Sequence, residues 1–158
     1  MKKTNEEVAQ KLTEMLESRK DLPEDCFSAK INREFVSCDV EKLCADYVFT
    51  VPKFAVNPIG SAHGGFIAGL LDDCMAHTII AFAIDEGIIT TSDLQMNYIK
   101  AANYGDKVNV HIELKHVGKR TIIVSGEMRR NGELLNFGTA NFAKIPTPAI
   151  MEKGGKND

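Results

Sequence analysis

The sequence lacks an excess of positive charge: 19 lysines and arginines stand against 22 acidic residues, for a net charge of −3. The basic residues are scattered along the chain, which argues against nucleic acid as a partner. Cysteine is scarce, and Cys26, Cys38, Cys44 and Cys74 show neither C-x-x-C spacing nor histidines at zinc-ligand intervals. The expectation is reduced thiols in a cytoplasmic protein, without a disulfide framework or a structural zinc. No apolar stretch follows Lys2 and Lys3, so a secretion signal is not expected. No repeat and no linker divides the 158 residues, which suits one domain with a real core.

What the chain does have is a long apolar run from His63 to Ile84. It opens on Gly64 and Gly65, is apolar on nearly every side, and carries Asp72 and Asp73 in its middle. Phe66 to Ile84 approaches the length of a membrane span. Two central aspartates would each cost about 2.5–3.5 kcal/mol there, so a buried helix of a globular core is expected, with no membrane partner. Buried carboxylates are costly unless paired, hydrogen-bonded or kept for chemistry. The two glycines expose backbone amides at the positive end of the helix dipole, which suits a developing negative oxygen. The segment reads as an active-site helix.

Around it the pattern is regular. Val8, Leu12, Met15 and Leu16 recur at helical spacing between Thr4 and about Arg19, predicting an amphipathic helix that ends at Asp21–Asp25. Strands are expected over Ile31–Val40 and Ala45–Val51, then the buried helix, ending near Asp85–Gly87 with the glycine as a cap. Four more strands follow, over Thr90–Ile99, Lys107–Val117, Thr121–Arg130 and Leu134–Lys144. Asn131–Gly132 is a hairpin signal between the last two. The expected class is α+β: a sheet curled around one apolar helix, each burying the other's face. Residues 1–25 form an N-terminal helical extension in this reading, 26–146 the main domain and 147–158 a polar tail.

The stretch Asn57-Pro58-Ile59-Gly60-Ser61-Ala62-His63-Gly64-Gly65, followed by Asp72, resembles the hotdog-fold acyl-CoA thioesterases, nearest the PaaI-like group of the phenylacetate pathway. Thr91-Ser92-Asp93-Leu94-Gln95-Met96-Asn97-Tyr98, Tyr104-Gly105-Asp106 and Gly138-Thr139-Ala140-Asn141-Phe142 extend the resemblance over about residues 30–145. Ala101 stands where the family usually has proline.

The resemblance implies a hotdog fold, a curved antiparallel sheet wrapped around one long helix, and hydrolysis of acyl-CoA to free acid and CoA. It implies Asp72 as catalytic carboxylate, acting as general base on water or as nucleophile. It implies Gly64, with Gly65, as holder of the thioester oxygen. Asn57 and His63 would orient thioester or water, and Thr91 would help place the water. Phe66 is a candidate for the acyl pocket, and Lys119 and Arg120 for the CoA phosphates. No metal or other cofactor is implied, since CoA is part of the substrate. Asp73 and His77 are spaced as an ordinary Asp–His helix pair; the same pair keeps open a hotdog hydratase or dehydratase. A non-catalytic acyl-CoA-binding or sensing module is the other alternative.

Asp72 lies about 12 Å along the helix from the Gly64 amide, at about 1.5 Å per residue. A base and an oxyanion donor must both come within about 3 Å of one reacting group. The expectation is therefore a homodimer with two shared sites, and the resemblance suggests a further pairing of dimers into a homotetramer.

Overall fold

Helix formation begins at Thr4, whose hydroxyl accepts the Glu7 amide while the Glu7 carboxylate accepts the Thr4 amide. This reciprocal cap satisfies two amides that a helix start leaves free. In the computed structural model, which describes residues 3–146, it opens α1 (Asn5–Glu17), with Val8 and Leu12 buried. The expected helix is shorter than its apolar spacing suggested, because Ser18–Asp21 tightens into a 3₁₀ turn that buries Arg19. A short helix, α2 (Phe27–Lys30), follows.

Six strands form one antiparallel sheet in the order β1-β2-β4-β5-β6-β3. They are β1 (Arg33–Asp39), β2 (Cys44–Thr50), β3 (Ile88–Tyr98), β4 (Lys107–Val117), β5 (Thr121–Arg130) and β6 (Glu133–Ile145). All six expected strands are present. On β4, Val108, Val110, Ile112 and Leu114 are buried and alternate with the polar residues between them. Asn131 and Gly132 both have positive φ, 51° and 82°, the type I′ geometry that matches strand twist in a two-residue hairpin. The bend at Ala101 follows two amides, Ile99 and Lys100, both donating to the Leu135 carbonyl at 2.9 Å.

The apolar run is α3 (Gly64–Ala83), laid across the sheet with Leu70, Leu71, Cys74, Met75 and Ile79 wholly buried. It is long and apolar enough to cross a membrane, yet it is the helix around which the core is built. Its one deeply buried hydroxyl is satisfied: Thr78 donates to the Cys74 carbonyl at 2.9 Å and pairs with Tyr47 Oη at 2.8 Å. The helix stops four residues short of Gly87, with Ile84 in extended conformation at its end. Gly87, at φ 94°, instead serves the turn into β3, where a Cβ would meet the Ile145 carbonyl at 2.6 Å. The carbonyls of the last turn are taken by lysines from elsewhere. Lys3 Nζ donates to Ala81 O, Lys11 Nζ to Ile84 O and Lys144 Nζ to Ala83 O, at 3.1, 2.8 and 3.5 Å. The expected tail, 147–158, lies outside the described residues.

Strand β3 is one of the two edges of the sheet, opposite β1, and has β6 as its one neighbour. A bulge at Ser92 shifts its register, so Ile89 packs inward before it and Leu94 and Met96 after it. Eleven residues of unpaired edge remain open, a surface that soluble proteins normally cover or pair.

Candidate active site

The two consecutive aspartates of α3 sit in opposite environments. Asp73 gathers three separate pieces of the chain. Arg19 Nη2 reaches its carboxylate at 2.5 Å, Arg33 Nη1 donates to the same oxygen, and Ser28 Oγ donates to the other at 3.0 Å. Both guanidinium groups are almost entirely buried. They hold the Asp73 carboxyl below the usual carboxylate range, although burial alone would push it up. The expected Asp73–His77 pair takes a different form. His77 Nδ1 bonds the Asp73 backbone carbonyl at 2.7 Å, while the nearer carboxylate oxygen is 4.0 Å away. Burial, reinforced by Arg33 and Arg19, lowers His77 to about 4, so the ring is neutral.

Asp72 has no such partners: among the described residues no lysine or arginine lies within ion-pair distance of it. Its one side-chain hydrogen bond comes from Thr91 Oγ1, at 2.8 Å to Oδ1. Half-burial pushes its carboxyl above the ordinary value, the Thr91 bond opposes this, and the charge on Asp73 adds to it. A half-buried, unneutralised carboxylate with a raised pKa is suited to take a proton near neutral pH.

At the start of α3, His63 is the N-cap residue, and its Nδ1 accepts the Gly65 amide at 3.0 Å. That bond removes Gly65 as a donor and leaves the Gly64 amide, the first of the helix, without an intrahelical acceptor. Tyr98 Oη donates to the Gly64 carbonyl at 2.8 Å and fixes this peptide against the end of β3. Asn57 turns its side chain into its own loop. Its Oδ1 accepts the amides of Ile59 and Ser61 at 3.1 and 3.2 Å, and its Nδ2 donates to Ser61 Oγ at 2.9 Å. What Asn57 contributes is the shape of the loop that delivers His63 to the helix.

Phe66 is buried at the first turn of α3 among the rings of Phe27, Phe49 and Phe54, with centroids 6.2, 6.4 and 5.7 Å away. Lys119 and Arg120 lie elsewhere. With Glu86 and Lys144 they line a cleft of about 690 Å³ near the C-terminal end of α3. A 20-residue helix is about 30 Å long, so one protomer does not bring these cations to Gly64. Nor does it bring Asp72 to Gly64. Among the described residues no cluster of side chains could hold a metal ion.

Three residues of the Asp73 cluster escaped the sequence reading, although two left a signal. Arg19 continues the helical stripe of Val8, Leu12 and Met15, and Arg33 shares the inward face of β1 with Phe35. A charge on an apolar stripe asks for a buried counter-charge. Ser28 left none.

The family model of the thioesterase superfamily matches residues 59–136. Among curated proteins none matches the chain significantly. Solved structures share its fold. The PaaI protein of E. coli, from the phenylacetic acid degradation operon, aligns over 90% of this chain and 96% of its own, with TM-score 0.75 and 18% identity. A phenylacetic acid degradation-related protein of Ralstonia eutropha JMP134 aligns over 84% and 98%, with TM-score 0.72 and 22% identity. The smu.793 protein of Streptococcus mutans UA159, solved bound to acetyl CoA, aligns over 73% and 90%, with TM-score 0.66 and 22% identity.

Proposed function

We propose that this chain, whose residues 59–136 match the thioesterase superfamily model, hydrolyses acyl-CoA thioesters at sites shared by two copies of itself. The observation that carries the reading is Asp72: half-buried, un-ion-paired and held by Thr91 on the very helix whose N-terminus offers a free amide. A binding module has no use for an unneutralised base, which sets the sensing alternative second. The hydratase alternative leaned on Asp73 and His77, and both are committed to the arginine cluster.

The chemistry follows from placement. Asp72 takes a proton from a water oriented by Thr91, and the water oxygen attacks the thioester carbonyl carbon. The carbonyl oxygen becomes an oxyanion facing the Gly64 amide of the other protomer, a donor worth about 2.7–4 kcal/mol when well aimed. The intermediate collapses with loss of CoA thiolate, which takes the proton back. In the nucleophilic variant an Asp72 oxygen attacks the carbonyl carbon and expels CoA thiolate, and water then attacks the Asp72 carboxyl carbon of the mixed anhydride, releasing the acid and leaving its own oxygen in Asp72. Incorporation of ¹⁸O into Asp72 during a single turnover in labelled water separates the two.

The pairing has a geometric rationale. Ala68 lies midway between Gly64 and Asp72 on the partly exposed side of α3. Two such helices crossing antiparallel at Ala68 bring each Asp72 to the other's Gly64. The same two-fold axis, beside Leu94 and Gln95, lets the open β3 edges pair and sets Thr91 beside the partner's Tyr98. The partner's Lys119 and Arg120 then approach from the far end to take the CoA phosphates. No further cofactor enters this scheme. The test is release of free thiol from a panel of acyl-CoAs by wild type, Asp72→Asn and Asp73→Asn. Loss in Asp72→Asn alone supports the reading, and tight acyl-CoA binding with no thiol release by wild type would establish the sensing module instead.

A further inference from the structure

The N-terminal segment comes back over α3 at one place. Phe27, at the start of α2, lies on Gly69, where a Cβ would come within 2.6 Å of its ring, so the ring and helix meet as closely as glycine permits. Its neighbour Ser28 is bonded to Asp73, as is Arg19 just upstream, so the segment is anchored one residue away from Asp72. Phe27 also stands edge-on to Phe66. Phe27 is 47% exposed and Phe54 58% exposed. With Ala55, Val56, Phe66, His63 and Gly65 they line a cleft of about 370 Å³. No lysine, arginine, aspartate or glutamate lines it.

Two exposed aromatic rings over an apolar cleft are an anomaly unless something apolar fills the space between them. The cleft ends at the turn whose Gly64 amide faces the thioester oxygen in the reading above, so the group nearest to it is the acyl chain. On the other side of that turn, a second cleft mixes Ile67, Ile99 and Ala102 with Ser61, Lys100 and Asn136, whereas the aromatic cleft contains no lysine, arginine or carboxylate.

We infer that the aromatic cleft takes the acyl group and that Phe27, carried in by the N-terminal segment and anchored through Asp73, is the residue that limits acyl length. The inference rests on the thioesterase reading. Phe27 acts on no reacting atom; its ring occupies part of the cleft wall, so its removal changes which chains fit.

The experiment measures kcat/KM for straight-chain acyl-CoAs from butanoyl to hexadecanoyl, for wild type, Phe27→Ala and Phe27→Trp, with melting temperatures alongside. The expected result is that Phe27→Ala raises the long-to-short ratio about tenfold and Phe27→Trp lowers it, as one or a few methylenes gained or lost in an apolar pocket would. An active wild type whose ratio moves less than about twofold in both variants, or whose rates fall uniformly across the series, overturns the inference and leaves the thioesterase reading standing. A wild type that releases thiol from none of these substrates overturns both.

Discussion

Thr91 and Asp72 are joined from edge strand to central helix by a 2.8 Å hydrogen bond, and the bulge at Ser92 is what turns Thr91 toward the helix. The hydroxyl favours the charged carboxylate, against the burial that disfavours it. Thr91→Val removes the donor, so the Asp72 carboxyl rises further. The acid limb of the kcat/KM profile, where Asp72 becomes protonated and activity fails, then moves to higher pH. A pH–rate profile of both proteins reads this directly, and an unmoved limb would exclude Asp72 as the titrating base.

The two aspartates separate by what each loses. Asp72→Asn removes the base, with turnover falling at least about a hundredfold and melting temperature little changed. Asp73→Asn strands the Arg19 and Arg33 guanidinium groups, two of whose Nε atoms and one Nη already lack partners. Removing one side of such a buried ion cluster costs about 3–5 kcal/mol. Denaturation and thiol-release assays on both variants check the contrast. Activity abolished in folded Asp73→Asn, with Asp72→Asn active, would reverse the assignment.

Gly64 offers a sharper substitution than alanine. As the first residue of α3 it can be replaced by proline, which suits that position, removes the N–H and sets its Cβ in van der Waals contact with the Tyr98 ring at 3.4 Å; Gly64→Ala, which keeps the N–H and adds the same Cβ, is the control. His63, before it, already holds extended geometry at φ −63° and ψ 134°. Gly64→Pro is expected to fold, to bind acyl-CoA, and to lose about two to three orders of magnitude in kcat. Retained turnover would remove this amide from the mechanism.

His77 predicts an acid weakness in the fold. Its folded value near 4 lies below the ordinary 6.5, so between these pH values the unfolded chain binds more protons. Stability therefore falls as pH drops through that window, by on the order of 3 kcal/mol from this residue. His77→Gln should flatten the decline, measured as urea midpoints from pH 7 to pH 4. An unchanged slope would contradict a buried neutral ring.

Much of this molecule was legible because local signals agreed. The β4 alternation, the Asn131–Gly132 hairpin and the unbroken apolarity of α3 each specify one structure, and together they specify a sheet around a helix. What stayed hidden depends on residues distant in sequence. Arg19, Arg33 and Ser28 converge on Asp73 from 54, 40 and 45 positions away. The end of α3 was misplaced because lysines, rather than Gly87, satisfy its carbonyls. The bulge at Ser92 left no compositional mark. Asn57 could be placed in the loop from its spacing, but only coordinates show its amide spent on Ile59 and Ser61.

The shared site is the claim on which the mechanism turns, and complementation tests it most directly. Asp72→Asn and Gly64→Pro chains, each inactive alone, are co-expressed and isolated together. If carboxylate and amide come from different protomers, every mixed dimer contains one intact site, and random pairing restores about a quarter of wild-type activity. If both groups act within one chain, the mixture stays as inactive as its parents, and the account is wrong.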